Sequence, residues 1–150
     1  MCWTGDDTAV RKIAERDFYV YKIGRVSDKG FNSLYQNFIY IPGVLNEKVK
    51  IRPIIHNYSI HKLLEEQYGV IYEGYHSYKD ITMPYSGLRS YYRTIYLGKI
   101  AEDIRLYNIY SIATFIIPKG SEYYENDGGE IVSSNIIYTG KYVRIGNSEE

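Results

Sequence analysis

A single cysteine excludes an internal disulfide, and His56, His61 and His76, the only histidines, sit at none of the spacings a zinc or iron site demands, so no metal is expected. Neither sign of charge is in excess. Eighteen Lys plus Arg face 18 Asp plus Glu, 10 against 9 through residue 75 and 8 against 9 beyond it. A domain that neutralises phosphates along a duplex carries a basic excess or a basic half, so duplex nucleic acid is not an expected partner. Long apolar runs are missing too: the uncharged stretch from Leu106 to Pro118 is too short to cross a bilayer and is interrupted by Asn108 and Ser111. The N-terminal MCWTGDDTAV has neither the basic start nor the apolar run of a secretory signal. These absences lead to the expectation of a reduced, cytoplasmic protein with no membrane partner. No G-x-x-x-x-G-K-S/T loop, G-x-G-x-x-G turn or G-x-S-x-G elbow occurs, which removes the P-loop, dinucleotide-fold and hydrolase-elbow readings; no cofactor or catalytic set is read from motifs.

What is present is tyrosine and isoleucine: 19 Tyr and 21 Ile against 7 Leu, 4 Phe and 1 Trp in 150 residues. Leucine favours helices, whereas isoleucine and tyrosine suit a pleated, half-buried surface, so the composition tilts towards strands. Codon usage in an AT-rich genome produces the same excess, and composition does not separate the two origins. A tyrosine-rich surface offers stacking platforms for bases and anchors for interfaces, which makes a homodimer an expected state. The length suits one domain over residues 1–150 that buries roughly two thirds of its unfolded surface.

Along the chain, Asp6, Asp7 or Thr8 caps an expected helix over residues 7–16. DFYVYKIG alternates as a strand that breaks at Gly24, and NFIYIPG is a second strand ended by Pro42 and Gly43. Ile60, Leu63, Leu64 and Tyr68 recur at helical spacing, which predicts a helix over residues 60–68 stopped by Gly69. Residues 88–105 read equally as helix or strand. IYSIATFIIP is a strand, Asp127, Gly128 and Gly129 form a turn, and NIIYTGKYVRI is a strand pair broken at Gly140, with a frayed tail over 146–150. The sum is an α+β domain, two or three short helices on a mostly antiparallel sheet.

The segment Glu73 to Lys79 is the densest in chemistry. Glycine frees the backbone at Gly74, after which Tyr75, His76, Ser77 and Tyr78 give one strand two chemically different faces, with donors suited to a phosphate or ribose. An edge strand carrying a satisfied histidine explains the same residues without function.

MCWTGDD…KIAERDFYVYKI, GYHSYK and IPKGSEYYENDGGEIVSSNIIYTGK resemble small uncharacterised proteins encoded by gut bacteria and their phages. That resemblance implies a mobile-element accessory protein in the cytoplasm of a bacterial host. About half the chain also resembles the ADP-ribosyltransferase fold: Tyr21, Lys22 and Gly24 look like its first motif with Lys in place of Arg, Gly74 to Ser77 like its second, and Ile117 to Gly120 like its third. Asn135 stands where that family keeps its catalytic Glu. A neutral amide does not stabilise a cationic ribose, so this resemblance implies a nucleotide-shaped cleft that has lost transferase activity.

The leading expectation is therefore a non-catalytic module that sequesters a nucleotide-derived molecule. Tyr75 or Tyr78 stacks on a base, Lys22, Arg25 or Arg89 answers phosphate, and His76, Ser77 and Asn135 hydrogen-bond ribose or base edges. The alternatives are an ADP-ribosyltransferase-like enzyme using NAD, with Lys22, Ser77 and Glu130 in altered roles, and a protein-interaction or virion-associated structural module.

Overall fold

The computed structural model describes residues 3–6, 11–33, 38–47, 51, 54–60, 64–71, 73–81 and 110–144. Among them every strand pair is antiparallel and no helix occurs. The described part of the chain is mostly β, which corrects the expectation of an α+β domain with two or three short helices on a mostly antiparallel sheet.

The central strand is β3 (Phe18–Ser27). One edge pairs with β10 (Ser111–Ile117) along its whole length, from Phe18↔Ile117 to Gly24↔Ser111. The other edge is divided. Tyr21 pairs with Tyr78 of β9 (Tyr75–Tyr78), and from Gly24 to Ser27 the partner is β4 (Gly30–Ser33), joined to β3 by a tight hairpin. Gly24 was expected to end the strand; it lets it continue instead. A Cβ there would lie 2.0 Å from the Asn32 carbonyl oxygen and 2.7 Å from the Phe31 ring, so only glycine permits β4 to approach this closely.

From β3 the sheet curls in two directions. One runs through β10 to β13 (Asn135–Arg144) and then to β6 (Leu45–Glu47); the other runs through β4 to β5 (Ile39–Tyr40). They meet at the turn between β5 and β6, where the Gly43 N–H donates to the Tyr138 carbonyl at 2.8 Å. The result is a ring of strands around an aromatic core of Phe31, Tyr40, Phe115 and Tyr138, with Val20, Ala113 and Ile136 filling between them. Phe115 sits edge-on to Phe31 at 5.4 Å and to Tyr40 at 5.1 Å, the geometry that ring quadrupoles favour. Gly140 breaks the β10–β13 register rather than the strand: at φ +89° it carries a bulge between the Ala113↔Tyr142 and Phe115↔Tyr138 pairs.

On the far side of β9 the sheet extends through β12 (Glu130–Ser133) and β11 (Glu122–Glu125) to β2 (Lys12–Ile13). Ile131 faces the aromatic core while Val132 packs with Ile51, Ile71 and Tyr124 on the opposite face. A separate three-stranded sheet contains β1 (Trp3–Asp6), β7 (Ile54–Ile60) and β8 (Leu64–Ile71).

Both expected helices are corrected where they can be compared. Of residues 60–68, Ile60 ends β7 and 64–68 belong to β8, the two strands pairing from Ile54↔Val70 to Ile60↔Leu64, while 61–63 lie outside the described residues. Nine residues make an isolated helix marginal, and the β-branched and aromatic flanks on both sides favour cross-strand pairing. Of the helix expected over 7–16, residues 7–10 lie outside the described residues; Lys12 and Ile13 pair with Tyr123 and Glu122, and the Ala14 N–H bonds to the Ser121 carbonyl. The segment 88–105 and the tail 146–150 also lie outside the described residues. Among those described, no helix is long and apolar enough to cross a membrane.

Because Phe115 touches the rings of Phe31, Tyr40 and Tyr138 and is fully buried, Phe115→Ala is expected to lower the unfolding free energy by about 3–5 kcal/mol in urea titrations, with Phe115→Leu costing much less.

Candidate functional site

Where β2 meets β11, the fold opens a cleft of about 570 Å³, within the size range of small-molecule sites. Its apolar surface comes from Ile13, Ala14 and Ile131, and two aromatic side chains, Phe18 and Tyr123, stand in it with ring centroids 5.2 Å apart at 58°. Three cations, Lys12, Arg16 and Lys79, line it together with two carboxylates, Glu15 and Glu125. Glu125 holds two of the cations, with its oxygens 3.1 Å from Lys79 Nζ and 3.9 Å from Lys12 Nζ. Lys12 also lies over the Tyr123 ring at 6.0 Å. An aromatic wall beside amines that share one carboxylate suits a flat molecule carrying negative charge. The exposed ion pairs themselves contribute at most about 1 kcal/mol each.

The cleft is held by its surroundings. Asp17 accepts from the Lys119 N–H at 2.7 Å, and Ala14 exchanges backbone hydrogen bonds with the Gly120–Ser121 turn. Lys79 is fixed through its own N–H, which donates to the Gly129 carbonyl at 2.9 Å in the β11–β12 turn.

Five residues back along β3 from Ser27, and four on from Phe18, lies a second unusual group. Lys22 points into the ring of strands and is only 9% exposed. Its ammonium donates to the His76 carbonyl and lies 5.5 Å from the Tyr40 ring and 6.0 Å from the Phe115 ring. No carboxylate among the described residues forms an ion pair with it. Burial pushes its pKa down from 10.5 to about 8. The neighbouring phenols move the other way. Burial raises the Tyr40 hydroxyl, with Tyr75 adding to it; burial raises Tyr75, with Glu47 adding; and burial raises Tyr138, with Tyr142 adding. All three stay protonated donors.

The residues expected from sequence to bind ligand are distributed over several places. Lys22, Tyr75 and Ser77 are brought together on the inner face, Tyr75 donating to the Glu47 carbonyl at 3.3 Å. His76 and Tyr78 are half-buried on the alternate face of β9. Arg25 is exposed, its guanidinium 5.5 Å from the Tyr110 ring. Asn135 donates to Ser121 Oγ at 3.2 Å, tying β13 to the turn after β10. Glu130 accepts from the Asn126 side chain at 2.9 Å within the β11–β12 turn. Arg89 lies outside the described residues. None of the expected binding residues among those described lines the cleft, although Lys79 follows directly after Tyr78.

The cleft residues were missed because nothing local marks them. Lys12 and Tyr123 are joined only by the pairing of two-residue β2 with β11. The nearest sequence signal is Lys12 among the mixed charges of RKIAER and the double tyrosine of EYYE. No protein-family model, curated protein or solved structure matches the chain, so the functional reading is carried by this geometry.

Lys22 makes stability depend on pH. Between about pH 8 and 10.5 the unfolded chain retains a proton that the folded chain has released, so stability rises with pH across that window. Below it both states are protonated, and the fold bears the cost of the buried charge, about 3 kcal/mol from the size of the shift. Above about pH 10 the tyrosines oppose this, because the unfolded chain ionises phenols that the fold keeps neutral. In chloride-free buffer, Lys22→Met is expected to be more stable than wild type at pH 7 by about 1–3 kcal/mol and to lack the rise above pH 8, as read by thermal melts across pH.

Proposed function

We propose that the protein binds a small nucleotide-derived molecule in the cleft between β2 and β11 and holds it without consuming it. The observation that carries this reading is the meeting of Phe18 and Tyr123 with Lys12, Arg16 and Lys79 in one ligand-sized space. A base or other flat ring stacks on the aromatic wall, and a phosphate takes the place of the Glu125 carboxylate between Lys12 and Lys79. The biological role attached to this binding is sequestration of a nucleotide messenger inside a bacterial host. Its support is the resemblance of the chain to phage and gut-bacterial accessory proteins.

Calorimetric titration with AMP, ADP-ribose and cyclic dinucleotides, alongside mass spectrometry of small molecules released from purified protein, tests the reading. A bound nucleotide is expected near one per chain. Tyr123→Ala is expected to weaken binding about 10- to 100-fold through lost stacking. Glu125→Gln is expected to tighten it about threefold, because the competing carboxylate is gone. An empty extract and flat titrations with every nucleotide would sink the proposal.

A second reading, a protein-interaction module that docks a second copy of the chain, is favoured by the exposed apolar side chains Phe38, Ile39, Ile41, Val44 and Leu45 around the β5–β6 turn. They border β6, the last strand of the ten-stranded sheet. Light scattering is expected to give a dimer for the wild type and a monomer for Ile41→Asp combined with Leu45→Asp.

A further inference from the structure

Two buried polar groups inside the ring of strands lack a sufficient set of partners. Lys22 has three N–H donors; the His76 carbonyl accepts one, and the two aromatic rings offer π faces rather than lone pairs. Ser77 is 2% exposed, and its Oγ has no hydrogen-bond partner. A buried hydroxyl left in that condition keeps its full desolvation penalty, and a buried ammonium without a counter-charge bears a larger one.

The strand register brings these two groups together. Tyr21 pairs with Tyr78 across the antiparallel β3–β9 seam, so the next position along places Lys22 opposite Ser77 with both side chains on the inner face. At this seam β3 passes from β9 to β4, whose pairing begins only at Gly24.

We propose that Lys22 and Ser77 form an internal site for one small monovalent anion of the size of chloride. The anion accepts from the ammonium and from the Ser77 hydroxyl, and it supplies the negative charge that no side chain among the described residues provides. A single cation sets the valence. Two remaining ammonium hydrogens and one hydroxyl hydrogen also suit a compact ion better than a sulfate or phosphate, which needs more donors. Around the site, Tyr40 from β5 and Tyr75 from β9 stay neutral, Glu47 acts on the Tyr75 hydroxyl without forming an ion pair with Lys22, and β9 presents the His76 carbonyl. The site is independent of the cleft, about 13 Å along β3 from Phe18 at the strand rise per residue.

The test uses the full chain and chloride or bromide as the probe. At pH 7 and constant ionic strength, replacing sodium gluconate by sodium chloride is expected to raise Tm by about 4 °C and to saturate. Crystals grown in sodium bromide are expected to give an anomalous peak between Lys22 Nζ and Ser77 Oγ. Ser77→Ala should halve the chloride increment or more, and Lys22→Met should abolish it. The absence of a bromide peak at that position overturns the proposal whatever Tm does, as does a Tm identical in chloride and gluconate; a water molecule would then be what serves Ser77. Both wild-type measurements stand even if a variant fails to fold.

Discussion

A strand has two edges, and β3 has three neighbours. β10 takes one edge from Phe18 to Gly24, and β9 and β4 share the other, with the handover between Tyr21 and Gly24. The ring of strands that encloses the aromatic core and the extension that carries the cleft both start from this division. It is possible because Gly24 has no side chain to hold β4 away, the Asn32 carbonyl occupying the space a Cβ would need. Where β9 gives way to β4, a polar side chain from β3 can turn inward and meet backbone carbonyl oxygen, and that is where Lys22 sits.

The core so enclosed is made largely of tyrosine and phenylalanine, and this changes what tyrosine means in the chain. Tyr40, Tyr75, Tyr110, Tyr124 and Tyr138 are all buried. A ring with a polar tip lets a β domain fill its interior while the hydroxyl finds a backbone acceptor, as Tyr75 does at Glu47. It also builds an interior polar enough at its margin to hold one lysine. Tyr123, by contrast, stays half-buried and remains available as a wall of the cleft. The same residue type thus serves packing in the ring and stacking at the β2–β11 edge, according to which face of a strand it occupies.

The two candidate sites differ in electrostatic character. In the cleft, charges of both signs are solvated and already neutralise one another, so a ligand exchanges one anion for another at small cost. Inside the ring, the charge is buried against aromatic faces and one carbonyl, so any change in its protonation or pairing reaches the stability of the whole fold. The first arrangement favours reversible capture of a small molecule, the second a structural ion.

Much of the strand content was legible in residues 18–24 and 111–117, where alternation and β-branched residues agree, and in the Asp127–Gly129 turn. The helix expected at 60–68 was misread because Ile60, Leu63, Leu64 and Tyr68 satisfy a helical period while their flanks pair as a hairpin, and a period over nine residues does not choose between them. The importance of Lys22 and Ser77 was visible as residue types, but their burial was not. Composition and local pattern by themselves determined that this chain builds a tyrosine-rich sheet with neither disulfide nor net charge, because those properties are sums over residues or alternations along one strand. Only the tertiary structure decided that β3 divides its edge, that a lysine lies inside and that Lys12 meets Tyr123. Each of these depends on pairing between segments up to about a hundred residues apart, and nothing within either segment encodes its partner.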